Sequence, residues 1–252
     1  MKAEAFIIHL ARARGRAPQV ERLRRSLPMP VTVIDAVDGA ALGANEIAAV
    51  YRPRLHRPRY PFRLRDSEVA CFLSHRAAWQ AILARGLDAG LVVEDDVELD
   101  NGRFPAALGL ALAHMRGADV VRFPKKARGE KGPAVAAGEG ARLLAPRHVM
   151  LGMQAQLVGR EAARRLLAFT ETFDRPVDTL LQMQWLHGVR MLSVMPVAIR
   201  EVAGTLGGST VQQKAKPLSE ILSRELQRTR YRFAVRLFDG LKSRSGGGRP
   251  ES

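Results

Sequence analysis

The sequence predicts an α/β fold with a mostly parallel central sheet flanked by helices, and three observations predict it. Short apolar runs alternate with helix-patterned segments through the first two-thirds of the chain, the pattern of strands joined by helical crossovers. The 252 residues, 46% apolar and 26% charged, suffice for one large domain or two small ones with a sizeable core. Three adjacent carboxylates, Glu94, Asp95 and Asp96, directly follow one apolar run, and in open α/β sheets ligands bind beyond such strand ends.

Ala5 to Leu10 reads as a buried strand, and Gln19 to Leu27 as a helix with Val20, Leu23 and Leu27 on one stripe. Val31 to Val37 is β-branched and reads as the second strand, ended by the turn Asp38-Gly39. Tyr51 to Arg65 holds Pro53, Pro58, Pro61, six arginines and no acid, and reads as a long loop. A helix follows, with Asp66 or Ser67 as its N-cap and Val69, Phe72, Leu73, Trp79 and Leu83 on one apolar arc. Glu68 and His75, seven residues apart, share a face at the margin of that arc, where they either underlie a ligand or satisfy each other. Ser74 falls elsewhere on the wheel.

Leu91 to Val93 is the third strand and Asp119 to Phe123 the fourth. Lys125 to Gly140, rich in Gly, Ala and Lys, reads as a second loop, and Gln154 to Val158 and Val189 to Val197 as further strands. Asp178 stands where it could cap a helix over Thr179 to His187. Leu218 to Arg244 reads as a closing helix with Leu222, Leu226, Phe233, Leu237 and Leu241 near one stripe and Ala234 and Phe238 beside it; seven basic residues outnumber three acidic ones. The organisation expected is a main domain over 1–217, a basic amphipathic helix over 218–244 and a flexible tail over 245–252.

Composition excludes a disordered chain, a collagen-like repeat and a disulfide framework. The single Cys71 fits a reducing compartment, no apolar run approaches the roughly 18 residues of a membrane span, and Ala5 to Ala11 is too short and polar for a signal peptide, so a cytoplasmic protein is expected. The net charge of +15 favours polyanions. Nucleic acid is not expected among them, because the basic residues are not interleaved with aromatics and no helix-turn-helix, zinc or RNA-binding signature occurs. A surface solvated by arginines is the plainer reading of the charge.

The acidic triplet carries the sharpest chemistry. Crowded carboxylates repel one another unless a cation or solvent relieves them, and oxygen ligands of this kind suit Mg²⁺ or Mn²⁺. A hydrated acidic turn is the alternative.

Several motifs, in order, then resemble those of the bacterial glycosyltransferase family 25, which includes lipooligosaccharide galactosyltransferases. They are Ile7-Ile8-His9-Leu10 with Arg16, Ala36-Val37-Asp38-Gly39, the run from Ser67-Glu68 through Cys71 to Ser74-His75, and Glu94-Asp95-Asp96. Gln154-Ala155, Pro176-Val177-Asp178 and Pro196 with Ser209 follow. The resemblance covers about residues 5 to 212; His9 and Ala70 depart from the family's more usual Asn and Gly.

The resemblance implies a GT-A type fold whose N-terminal half binds a nucleotide-sugar donor, most commonly UDP-galactose, with a divalent cation, Mn²⁺ or Mg²⁺. It implies inverting transfer to a saccharide acceptor of lipopolysaccharide, lipooligosaccharide or another surface glycan. Asp96 is the implied metal ligand, with Asp95 as alternative and Glu94 in support. Arg16, Asp38 and Gly39 would border the nucleotide, with Glu68, Ser74 and His75 on the donor side. Asp178 would act as the general base from the acceptor half. The closing helix suits the surface of an anionic membrane, peripherally on the inner face of the cytoplasmic membrane, or else packs on the domain with its basic face in water. A non-catalytic basic protein binding an anionic membrane or nucleic acid is the rival reading.

Overall fold

A computed structural model describes residues 1–205 and 218–245. Its eight-stranded sheet is built from β1 (Ala3–His9), β2 (Val31–Asp35), β3 (Ala89–Glu94), β5 (Asp119–Arg122), β6 (Ala134–Gly138), β7 (Ala141–Leu144), β8 (Ala155–Gly159) and β9 (Arg190–Met195). Their order is β2-β1-β3-β8-β5-β9-β7-β6. The pairings β1·β2, β1·β3 and β5·β9 are parallel, whereas β8 is antiparallel to both its neighbours and β7 to both of its own. All strands but β7 and β8 therefore run in one direction, the mostly parallel sheet expected. A second, two-stranded sheet pairs β4 (Val97–Leu99) with β10 (Ile199–Glu201).

Helices cover both faces: α1 (Ala17–Ser26), α2 (Ala44–Val50), α3 (Asp66–Ala84), α4 (Phe104–His114), α5 (Arg160–Phe169), α6 (Val177–Leu181), α7 (Gln184–His187) and α8 (Leu218–Ser245). Because strand side chains alternate between faces, β1 and β3 feed two cores at once. Ala5, Ile7, Leu91 and Val93 pack with Val20 and Leu23 of α1 and Phe104 and Leu108 of α4. Phe6, Ile8 and Val92 pack on the other face with Phe72, Trp79 and Ile82 of α3 and Leu166 of α5. Burial on both faces explains why these strands read as unbroken apolar runs.

The structure corrects several expectations. The segment Lys125 to Gly140 is not all loop: β6 lies within it and pairs with β7 as a hairpin, since Ala-rich, exposed edge residues give no apolar alternation to read. Helix α3 begins at Asp66 itself, with Arg65 in the N-cap position. Strand β2 stops at Asp35, two residues short, and β9 at Met195, before Pro196.

Asp178 does not cap a helix over Thr179 to His187. Pro176 holds that cap position, and the segment splits into α6 and α7. Pro176 cannot donate a backbone hydrogen bond, which costs nothing at a helix start.

Ser209 lies outside the described residues, as does the expected flexible tail apart from Ser245, which ends α8. Among the described residues, no helix is long and apolar enough to cross a membrane.

Candidate active site

The strand topology gathers a cleft of about 240 Å³ at the carboxyl ends of β1, β2 and β3. Its floor is Glu94, Asp95 and Asp96, one side is Arg12 and Arg16, and another is the turn Ala36 to Ala40. Ala70, Cys71, Ser74 and His75 of α3 form the opposite wall. Of the residues singled out from sequence, Arg16, Asp38, Gly39, Ser74, His75, Glu94, Asp95 and Asp96 line this cleft. Glu68 and Asp178 do not.

Each carboxylate of the triplet has a different environment. Asp95 is buried with both oxygens engaged: its Oδ1 accepts from Arg16 Nη1 at 2.5 Å and its Oδ2 pairs with His9 Nδ1 at 2.7 Å. His9, where the family more usually has Asn, thus helps to hold Asp95. An exposed arginine would not serve here, and Arg16 is itself buried.

Asp96 differs. Its Oδ2 lies 3.8 Å from Arg16, while its Oδ1 is buried without a hydrogen-bond partner. Burial, then the charge of Glu94, pushes this carboxyl up to about 7 against the pull of Arg16. Glu94 is half-buried and faces His75 Nε2 at 3.3 Å. Gln156 on β8 donates its amide N–H to His75 Nδ1 at 3.2 Å, so the ring presents its own N–H to Glu94.

A buried, orphaned carboxylate oxygen beside a second carboxylate is what a divalent cation would satisfy, so Asp96 and Glu94 fit the ion that the family implies. Asp95, the alternative ligand, has each oxygen engaged once, by Arg16 and by His9, whereas Asp96 keeps one oxygen with no partner. One further group of donor atoms, on Cys71, His75 and Glu94, lies within 4.8 Å of one another on the α3 side.

The walls are set by backbone fit. Ser74 Oγ donates to Ala70 O within α3 and accepts from the Val37 N–H at 2.9 Å, tying the helix to the turn. A Cβ on Gly39 would lie 2.8 Å from the backbone of Ser67, so only glycine allows the turn to press against the start of α3. Asp38 is held below the ordinary carboxylate range by hydrogen bonds from Arg12 and the Ala40 N–H. Glu68 is spent elsewhere: it accepts the Arg65 N–H at 2.8 Å, so the expected pairing of Glu68 with His75 does not form.

Asp178, on α6, accepts the Gly152 N–H and the Thr179 hydroxyl. Burial raises its pKa against those hydrogen bonds, and the charge of Glu94 adds to the rise. Both Glu94 and Asp178 also act on the Cys71 thiol, which desolvation first and then these carboxylates push up.

Sequence reasoning missed Arg12, Gln156 and Arg122. Pairing registers set Arg122 of β5 beside Gln156 of β8 and Ser193 of β9, a buried polar row across the sheet, with Arg122 bonded to Glu130. The signal was present, since a polar residue inside an otherwise apolar strand is informative. Next to the cleft lies a larger cavity of about 560 Å³, lined by Tyr51, Tyr60, Phe62, Arg54, Arg63 and Asp66 among others.

The profile of Glycosyltransferase family 25 (LPS biosynthesis protein) matches residues 2–181. Procollagen galactosyltransferase 2 of Homo sapiens is 34% identical over 101 residues, 39% of this chain and 16% of that protein. The Inactive glycosyltransferase 25 family member 3 of Homo sapiens is 31% identical over 191 residues, 72% of this chain and 31% of that protein. The chain thus spans less than a third of the length of these relatives. Among solved structures, a galactosyltransferase LgtC in complex with donor and acceptor sugar analogues aligns with a TM-score of 0.33 and 13% identity, over 80% of this chain and 87% of that one.

Proposed function

The chain belongs to glycosyltransferase family 25, and from that premise we propose that its cleft binds a nucleotide-diphosphate sugar, UDP-galactose first among candidates, and that it transfers the sugar to a saccharide acceptor of lipopolysaccharide, lipooligosaccharide or another surface glycan. The observation that carries this reading is the division of labour in the triplet. Asp95 is paired with Arg16 and hydrogen-bonded to His9, while Asp96 keeps a buried, unpartnered oxygen beside Glu94. In a family that also has members named inactive, the buried, unpartnered Oδ1 of Asp96 on the cleft floor favours catalysis.

Asp96 and Glu94 would hold the divalent cation, which when bound supplies positive charge to the diphosphate leaving group. The turn at Asp38-Gly39 and the α3 wall would receive the nucleotide, with His75 orienting Glu94 and Arg16 fixing Asp95. In an inverting displacement, an acceptor hydroxyl oxygen forms the new bond to the anomeric carbon as the bond from that carbon to the diphosphate oxygen breaks. The hydroxyl proton passes to a carboxylate, and Asp178, with its raised pKa, is the residue assigned to take it. The larger neighbouring cavity, aromatic and arginine-lined, is read as the acceptor side. The GT-A type architecture and a cytoplasmic location belong to the same reading.

Isothermal titration with UDP-galactose and Mn²⁺, followed by donor hydrolysis and transfer assays, tests it. Wild type is expected to bind the nucleotide only with the metal, and Asp96→Ala to lose that dependence and the transfer. Asp178→Asn is expected to keep donor affinity but to lose turnover by about 10²–10⁴-fold, the usual contribution of a general base. Full activity of wild type in EDTA removes the metal from the scheme, and turnover of Asp178→Asn within about tenfold of wild type moves the base elsewhere.

A further inference from the structure

Helix α8 has two apolar faces, and only one of them is used by the domain. On the inner face Tyr231 and Val235 are buried. The Tyr231 hydroxyl accepts from Arg175 at 2.7 Å, its ring meets Tyr60 edge-on, and Phe238 packs near Trp185. On the outer face Leu226, Phe233 and Leu237 are 61%, 68% and 51% exposed. At about 100° per residue these three fall within an arc of about 40°, roughly opposite Val235. The other exposed large apolar residues among those described are scattered over different elements, so this stripe is a patch of another kind.

Arginines flank it. Arg230 and Arg236 lie on either side of the stripe, both exposed and without an ion pair among the described residues. The arginine-rich loop of residues 51–65 is a direct neighbour, through Tyr60 against Tyr231 and Phe62 under the Arg228 guanidinium. Within it Arg52, Arg54, Arg57, Arg59 and Arg63 have no acidic partner among the described residues. Positive charge therefore gathers around an apolar ridge on a chain whose net charge is already +15.

We propose that the outer face of α8, with the adjoining arginine loop, docks on the surface of an anionic phospholipid bilayer. Leu226, Phe233 and Leu237 would enter the boundary between headgroups and acyl chains while the guanidinium groups meet lipid phosphates. Charge complementarity selects this occupant over a second copy of the chain, which would bring two strongly positive surfaces together. The inference uses none of the residues of the carboxylate cleft, and the vesicle assay reads it without turnover, although Arg54 and Arg63 of the loop also line the cavity read as the acceptor side.

Deleting α8 is a poor test, since Tyr231 belongs to the buried network around Arg175. The test uses the full chain, wild type and two surface variants, sedimented with vesicles of phosphatidylcholine alone or mixed equally with phosphatidylglycerol. Wild type is expected to bind only the anionic vesicles and to be released by salt. Phe233→Ser/Leu237→Ser is expected to bind about tenfold or more weakly with unchanged thermal stability, and Arg230→Gln/Arg236→Gln to bind weakly with a shallower salt dependence. Equal binding by wild type and both variants overturns the proposal, as does equal binding to the two vesicle types. A wild-type dimer in solution that the serine variants dissociate also overturns it, by assigning the face to self-association.

Discussion

His187 shows how one buried side chain couples stability to pH. Its Nδ1 accepts the Val189 N–H at 3.1 Å and its Nε2–H donates to Leu181 O at 3.2 Å, a fully used neutral ring. Desolvation lowers its pKa to about 4. The unfolded chain binds a proton near pH 6.5 that the folded ring refuses, so its contribution is intact above 6.5 and is lost as pH falls toward 4. The shift corresponds to about 3 kcal/mol at full loss. Urea unfolding of wild type and His187→Gln between pH 4 and 8 is expected to show that extra acid-side slope only in wild type; parallel curves would place the ring in a solvated setting.

The acidic triplet makes a second prediction at this scale. Asp95→Ala removes the 2.5 Å charged hydrogen bond to buried Arg16 and the contact with His9, while Arg16 keeps Asp96 at 3.8 Å. It is expected to cost about 1.5–3 kcal/mol, the usual worth of a hydrogen bond to a charged group. Asp96→Ala removes a carboxylate that burial already disfavours, and the metal-free variant is expected to melt no lower than wild type. Thermal melts in EDTA decide both.

Among the elements, α3 and the turn after β2 form one unit, joined by Ser74 to Val37 and by the contact of Gly39 with Ser67. Gly39→Ala drives a methyl into helix backbone that cannot rotate away, so a loss of about 1–3 kcal/mol is expected. Nucleotide affinity should fall with it, since turn and helix wall the same cleft. A variant with wild-type stability and wild-type nucleotide binding by calorimetry would show that the turn moves freely of the helix.

The inner strands β1, β3, β5 and β8 were legible because burial on both faces leaves continuous apolar runs, and the half-exposed β2 through its β-branched residues. The hairpin of β6 and β7 was not, because Ala134 to Gly138 is short, exposed and nearly featureless. Asp178 reads equally well as a cap or as a base in sequence; the helix start at Val177, with Pro176 in the N-cap position, rules out the cap.

Across the whole molecule, one buried ion pair fastens distant segments together. Asp174 and Arg175 are fully buried and pair at 2.6 Å. Asp174 accepts the His56 N–H, while Arg175 donates to His56 O and to the Tyr231 hydroxyl. The arginine loop and α8 are thus pinned to the same point. Asp174→Ala leaves the Arg175 guanidinium buried without its partner, and about 3–5 kcal/mol of stability is expected to go. Proteolytic cutting within residues 51–65 and within α8 should rise together, and cutting that rises in one alone would show that the two are fastened separately.

The sequence by itself determined the α/β class, the strand that ends in Glu94-Asp95-Asp96, the Asp38-Gly39 turn and the family, because period, apolar runs and ordered motifs are local properties of the chain. Tertiary structure alone decided what each of those groups does. Which carboxylate is paired and which is left bare depends on Arg16 and His9 reaching Asp95 from other elements. Glu68 and His75 share a helical face yet part company, one to the Arg65 backbone and the other to Glu94 and Gln156. The stripe on α8 is outward only because Tyr231, on another side of that helix, found Arg175. The partnerships of Arg16 and His9 with Asp95, of His75 with Gln156 and of Arg175 with Tyr231, 56 to 86 positions apart, are fixed by packing and register, whereas the bond of Glu68 to Arg65, three residues away, is local to the helix start.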